Sequence, residues 1–417
     1  MDSEWCNVKL SVYPSRGLVD EKFTVLVQKA PPGFQMTIHV LHQCEDGNSL
    51  EAFAHYTADA CGTVNLSEDP SMGGTYSGVE PMGLIWSLKP VPGSKPGIRL
   101  SKKNVQTPME FTISVYKGHQ TEGFVDQVQL ACVVVERWYM APGVRRVPIT
   151  EGGLIGVLFL PPGPGPFPGV LDLWGGGVDL LETRSALLAS HGFASMTINY
   201  MDPFRKNEET SEAGKIVNNQ YFETALRVLQ QHPQILSSSI GMLGLSFGAS
   251  VTFKMAAYSD VVKVRNAWMK YLSLNASKIR VDTDNQVITR DLLLPIPTDP
   301  TMKVDVGRVQ CPLLLIVGED DQNWPVSESA QDIKEMMERA GNSHLLTILS
   351  YPNTGHLIEP PYSGHVLVST LRHITALMSL WGGEMVAHCR AQEDAWRKIL
   401  VFLMENLFVH NSANTSE

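Results

Sequence analysis

From Asn7 to Val135 the chain alternates short apolar and polar runs with a period near two. Lys22 to Val27, Gln35 to Leu41, Met109 to Tyr116 and Val128 to Glu136 are rich in Val, Thr, Phe and Tyr, and Pro/Gly turns such as Pro31-Pro32-Gly33 and Met72-Gly73-Gly74 punctuate this half. β-Branched and aromatic residues suit a pleated, half-buried surface, so the pattern predicts the short strands of a β-sandwich. No helix-period segment of useful length occurs there. Beyond Arg146 the pattern changes to apolar runs bounded by helix-forming stretches. Strands are expected near Leu154 to Leu160, Gly169 to Leu173, Ala194 to Tyr200, Ser239 to Leu245, Pro312 to Val317 and Leu345 to Ser350. Alternation of strand and helix implies a mostly parallel sheet with crossovers on both faces. Tyr221, Phe222, Ala225, Leu226 and Leu229 make an apolar stripe on a helix over Asn218 to Gln231. Trp396, Ile399, Leu400, Leu403 and Leu407 do the same on a C-terminal helix, and both stripes read as core.

The change of period falls at Trp138-Tyr139-Met140-Ala141-Pro142-Gly143. Residues 1–140 are therefore expected to form an immunoglobulin-like β-sandwich, and residues 141–417 a C-terminal α/β domain. Lys278 to Val309 has no strong period and contains Pro295, Pro297 and Pro300. A lid and an irregular surface excursion both fit it.

Candidate chemistry centres on Gly244-Leu245-Ser246-Phe247-Gly248, a G-x-S-x-G string placed where an apolar strand meets a helix-forming stretch. A sharp strand-to-helix turn there would present Ser246 as a nucleophile, and glycines at 244 and 248 would keep Cβ atoms away from the neighbouring strand and helix. An acid and a histidine follow in the order Ser, Asp, His that α/β-hydrolases use. Glu319, Asp320 and Asp321 directly follow an apolar strand, where open α/β sheets bind ligands. Spacing alone leaves all three open for the orienting role, with Asp321 favoured. His356 lies in Tyr351-Pro352-Asn353-Thr354-Gly355-His356, just past the next strand and outside any apolar periodicity. Phe247 and the Gly175-Gly176-Gly177 turn are the candidate oxyanion-hole amides, the latter similar to the HGGG-type loop of esterases.

Several long blocks carry a resemblance to a known family. They are Ser71 to Leu88 (SMGGTYSGVEPMGLIWSL), Glu136 to Arg146 (ERWYMAPGVRR), Phe159 to Gly163 (FLPPG), Leu180 to Ala189 (LLETRSALLA), Thr354 to Tyr362 (TGHLIEPPY) and Trp381 to Glu384 (WGGE). In this order they resemble the type I acyl-coenzyme A thioesterases and bile acid-coenzyme A:amino acid N-acyltransferases over nearly the whole chain. The resemblance implies a β-sandwich followed by an α/β-hydrolase, a triad matching Ser246, Asp321 and His356, and the second Asp of a Gly-x-Asp-Asp motif as the acid. It is poor from Val261 to Val309. The amidating branch of the family carries cysteine at the elbow, so Ser246 points to hydrolysis of acyl-coenzyme A rather than conjugation to glycine or taurine. The alternatives are such an N-acyltransferase, a general carboxylesterase of the dienelactone-hydrolase kind, and a non-enzymatic binding protein on a hydrolase scaffold.

Composition bounds the partners. The formal net charge is -10, which opposes nonspecific binding to nucleic acid or a membrane surface. Lys89, Lys95, Arg99, Lys102, Lys103, Arg145 and Arg146 are the basic residues that could hold a phosphate-bearing substrate. Six scattered cysteines without CxxC pairs fit free thiols in a reducing compartment, and neither metal nor cofactor is expected. The first residues carry two acids and no apolar run, and the last four are not of the serine-lysine-leucine type, so a cytoplasmic enzyme is expected. The expected partner is a small-molecule acyl-coenzyme A, with no stable membrane association and a monomeric or weakly oligomeric state.

Overall fold

The structure, a computed structural model, describes residues 8–95, 97–175, 180–200, 219–258, 275–299, 301–370 and 378–408. The chain divides into two compact units, Met1–Tyr139 with Pro360–Val366, and Met140–Glu359 with Leu367–Glu417.

The first unit contains two sheets. One has three strands, Lys9–Tyr13, Thr24–Gln28 and Val64–Asn65; the other has six, ordered Arg16–Leu18, Ala131–Trp138, Met109–Lys117, Gln35–Gln43, Ser49–Thr57 and Lys89–Pro90. Met36, Ile38 and Val40 are fully buried at period two, as the sequence pattern requires of a core-facing strand. The opposite face is also buried and carries polar groups with partners: Thr37 Oγ1 donates to Gly118 O (2.8 Å), and His39 Nε2 bonds Glu51 Oε2 (3.0 Å). A short helix, Gly83–Trp86, interrupts the strands. Helical periodicity cannot be read from a single turn.

The second unit carries the α/β architecture. A five-stranded sheet runs Arg145–Ile149, Gly156–Leu160, Ala194–Ile198, Phe167–Leu173 and Ile235–Gly244. Its first two pairings are antiparallel and the remaining two are parallel. Leu158, Leu171, Met196 and Leu229 form its core with Phe222 from the helix Asn219–Gln231. A separate parallel pair joins Leu313–Gly318 to Leu346–Tyr351, with Gly318 opposite Tyr351. The helices Val326–Arg339 and Met385–Leu407 complete this region, and the C-terminal stripe buries Trp396, Ile399, Leu403 and Leu407.

The stretch from 278 to 309 is mostly loop and short turns, with two short strands. Arg280–Val281 and Gln286–Ile288 join Met378–Leu380 and Val368–Thr370 in a four-stranded sheet. The backbone N–H groups of Thr289 and Arg290 both donate to Gln322 O (3.1 and 3.2 Å), tying the stretch to the acidic loop. Strands of two and three residues are too short to leave a periodic signature.

Candidate active site

Ser246 sits between the strand Ile235–Gly244 and the helix Phe247–Ala257, with φ 56° and ψ −127°. Such backbone is strained for a residue with a Cβ and persists only where its surroundings enforce it. Both flanking glycines are required by space. A Cβ on Gly248 would lie 2.1 Å from Leu173 O, and one on Gly244 would lie 2.6 Å from Ala249 Cα. The turn therefore presses directly against the end of the strand Phe167–Leu173, and Leu245 N–H donates to Leu173 O (3.1 Å).

Gly175 lies just past that strand end. A Cβ there would meet Ser246 Cβ at 2.7 Å and Oγ at 3.2 Å, so the backbone runs alongside the hydroxyl. Phe247 opens the helix, where the positive end of the peptide dipoles favours developing negative charge. Gly176 and Gly177 lie outside the described residues.

Asp321 and His356 emerge from the parallel pair at the same end, three residues past Gly318 and five past Tyr351. Gly318 lets the two loops touch, because a Cβ there would lie 2.4 Å from Gly355 O and 2.6 Å from Thr354 O. Asp320 N–H donates to Thr354 O (2.9 Å) across the same junction. Asp321 is 3% exposed; its Oδ1 accepts the backbone N–H groups of Asn323 (2.7 Å) and Trp324 (2.8 Å), leaving Oδ2 for His356 Nδ1 at 2.7 Å. The other two acids are engaged elsewhere. Asp320 accepts Gly383 N–H and Gln322 Nε2–H, both at 2.7 Å, and Glu319 accepts the Ser350 hydroxyl at the surface.

The His356 ring is 7% exposed and stacks on Trp381, centroids 5.5 Å apart at 17°. Its Nε2 is buried and makes no hydrogen bond among the described residues. Ser246, Asp321 and His356 all line one cavity of about 660 Å3, together with apolar side chains including Met242, Leu315 and Leu403. A largely apolar concave space with a few convergent polar groups is the usual form of a small-molecule site. Catalytic hydrogen bonds often close only when substrate binds, so an Nε2 facing this cavity without a partner suits a base awaiting a hydroxyl proton.

Some supporting residues escaped the sequence pattern. Asp172, 2% exposed in the strand Phe167–Leu173, accepts Arg184 Nε (2.7 Å) and the Ser185 hydroxyl (3.0 Å). Arg184 Nη2 also bonds Asp172 and reaches Leu173 O (3.2 Å) and Leu243 O (3.3 Å), joining the ends of the two strands that flank the elbow. Its guanidinium lies over the Trp174 ring. Tyr200 donates its hydroxyl to Trp174 O, and burial pushes that hydroxyl's pKa up, so it stays a donor. One acid inside an otherwise apolar strand was the available signal, because a buried carboxylate needs a partner.

Two of the basic candidates serve structure. Lys102 is buried, pairs with Glu45 (2.7 Å) and donates to Thr107 Oγ1 and Pro108 O, and Arg146 makes a two-point pair with Glu182 at 2.6 Å.

A family profile described as "Acyl-CoA thioester hydrolase/BAAT N-terminal region" matches residues 20–151, and one described as "BAAT / Acyl-CoA thioester hydrolase C terminal" matches 217–267 and 259–408. Among individual proteins, the chain is 36% identical to a mouse protein named peroxisomal succinyl-coenzyme A thioesterase, over 95% of this chain and 96% of that protein. It is 35% identical to mouse acyl-coenzyme A thioesterase 2, mitochondrial, over 96% of this chain and 90% of that one. To human acyl-coenzyme A thioesterase 1 it is 33% identical, covering 95% and 96%.

Proposed function

The chain belongs to the family of acyl-CoA thioester hydrolases and BAAT proteins, and from that premise we propose that it hydrolyses fatty acyl-coenzyme A to free acid and coenzyme A through an acyl-serine at Ser246. The observation that carries this reading is the Asp321–His356 pair, whose unpartnered Nε2 shares a cavity with a strained, elbow-mounted serine.

The chemistry follows from the hydrogen-bond directions. Asp321 Oδ2 accepts the Nδ1 proton, which fixes the tautomer with a lone pair on Nε2. Nε2 takes the Ser246 proton as Oγ bonds the thioester carbonyl carbon. The resulting oxyanion lies against the Phe247 and Gly175 amides. Collapse breaks the C–S bond, and the thiolate leaves readily because an ordinary thiol pKa is about 8.5. The His356 proton then passes to the departing sulfur. In the second half, His356 takes a proton from water as the water oxygen attacks the acyl-serine carbonyl, and returns it to Ser246 Oγ.

The apolar lining of the cavity suits an acyl chain, and the oxygen-ester intermediate favours water over an amine acceptor. A cysteine at the elbow would instead give a thioester intermediate, which amines attack readily. We place the enzyme in the cytosol: among the described residues five cysteines are free, which fits a reducing compartment, and no helix is long and apolar enough to cross a membrane. Fractionation of cells expressing the chain tests that location; recovery with mitochondria or peroxisomes contradicts it.

Ser246→Ala tests the reading most simply. Hydrolysis of a fatty acyl-coenzyme A, followed by thiol release, is expected to fall by about 10⁴-fold or more with the melting curve unchanged. Near-normal turnover by this variant contradicts the assignment.

A further inference from the structure

His388, in the first turn of the helix Met385–Leu407, is 2% exposed and outside the triad. Its ring touches the backbone on both sides of the catalytic histidine. Nδ1 accepts the N–H of Gly355 at 3.0 Å, and Nε2 donates to the carbonyl of Leu357 at 2.9 Å. Gly355 N–H can only donate and Leu357 C=O can only accept. The directions therefore require a neutral ring with its single proton on Nε2.

We propose that His388 is the positioning residue of this active site: its neutral ring bridges the peptide groups on either side of His356 and holds that imidazole toward the cavity, and adding a proton to His388 releases the loop. An imidazolium would turn Nδ1–H against Gly355 N–H, two donors face to face at hydrogen-bond distance. A Cβ on Gly383 would lie 2.9 Å from His388 Nδ1 and 2.6 Å from Gly355 N, so the Trp381–Gly382–Gly383 turn closes over the same junction. Gln392 Nε2 also donates to Leu357 O (3.2 Å), so the Leu357 side of the bridge is held by two donors.

Ionisable groups at the bridge include His356 itself, whose Nδ1 pairs with Asp321, and Asp320, which accepts Gly383 N–H; the His388 backbone N–H donates to Glu384 O. Burial holds the His388 pKa below its ordinary value; the Leu357 bond pulls it up by less than burial lowers it, and the neighbouring His356 adds a still smaller downward push. A histidine depressed in the folded state stabilises that state above its unfolded value of about 6.5, and the contribution is lost as pH falls through the lower folded value. The lock is therefore intact at neutral pH and opens on the acid side.

This inference rests on His356 acting as the base. That function needs one deprotonation; the His388 lock adds a second. Log kcat/KM against pH is expected to approach a slope of two at the foot of the acid limb in the native protein. In His388→Gln, whose amide accepts and donates without titrating, the slope is expected to be one. At neutral pH, His388→Leu is expected to lose about 100-fold in kcat with KM within twofold, the scale of a misplaced catalytic group, and His388→Gln to recover at least tenfold of it. Native and His388→Gln acid limbs of equal slope, or a folded His388→Leu with native kcat, would overturn the proposal. Should the Leu variant not fold, the comparison of slopes still decides. Failure of the triad reading is separate: it appears as activity in Ser246→Ala, whereas failure here appears with Ser246→Ala inactive.

Discussion

At the scale of single residues, the three neighbouring acids 319, 320 and 321 show how local geometry assigns roles that composition cannot. All follow one strand, yet Asp321 alone reaches His356, while Asp320 braces the Gly383 turn and Glu319 faces solvent. Asp321→Asn is expected to reduce kcat by about 10³–10⁴-fold with little change in melting temperature, because an amide in that place supports the wrong imidazole tautomer. Glu319→Gln is expected to leave kcat within twofold of native, and a large loss there would reassign the acid. Steady-state assay of the pair of variants checks both outcomes.

At the scale of elements, the elbow depends on strand ends meeting without side chains between them. Gly248→Ala would place a methyl group 2.1 Å from Leu173 O, so something must shift. Overpacking of this kind is expected to cost about 1–3 kcal/mol, measured as a lower denaturant midpoint, with turnover falling further as Ser246 moves. Asp172→Asn leaves Arg184 buried without its counter-ion and is expected to destabilise by about 3–5 kcal/mol in the same measurement. The elbow was legible in sequence because glycine spacing and an apolar strand are local signals, and the long strands and amphipathic helices were legible for the same reason. The Arg184–Asp172 clamp left only the signal of a lone acid in an apolar strand, which names no partner, and the His388 bridge left none, because it joins residues more than thirty apart through groups that carry no periodicity. The small sheet of Arg280–Val281, Gln286–Ile288, Val368–Thr370 and Met378–Leu380 was hidden likewise: its strands have two or three residues each, and its two local hairpins are joined by a pairing, Gln286 to Met378, of residues nearly a hundred apart.

At the scale of the whole molecule, the chain belongs to a family of acyl-CoA thioester hydrolases, and the proposed acyl-serine predicts water as the acceptor. With fatty acyl-coenzyme A and excess glycine or taurine, product mass spectra are expected to show free fatty acid, with the N-acyl amino acid at trace level. Dominant conjugate would move the chain to the amidating branch. The central claim is that the acyl group passes through Ser246 Oγ, and its most direct test is a rapid acid quench during turnover of a long-chain acyl-coenzyme A, followed by peptide mapping. The expected result is an adduct of the acyl mass on the peptide bearing Ser246, absent from Ser246→Ala. An adduct mapped to another residue, or full turnover by Ser246→Ala, would contradict the account.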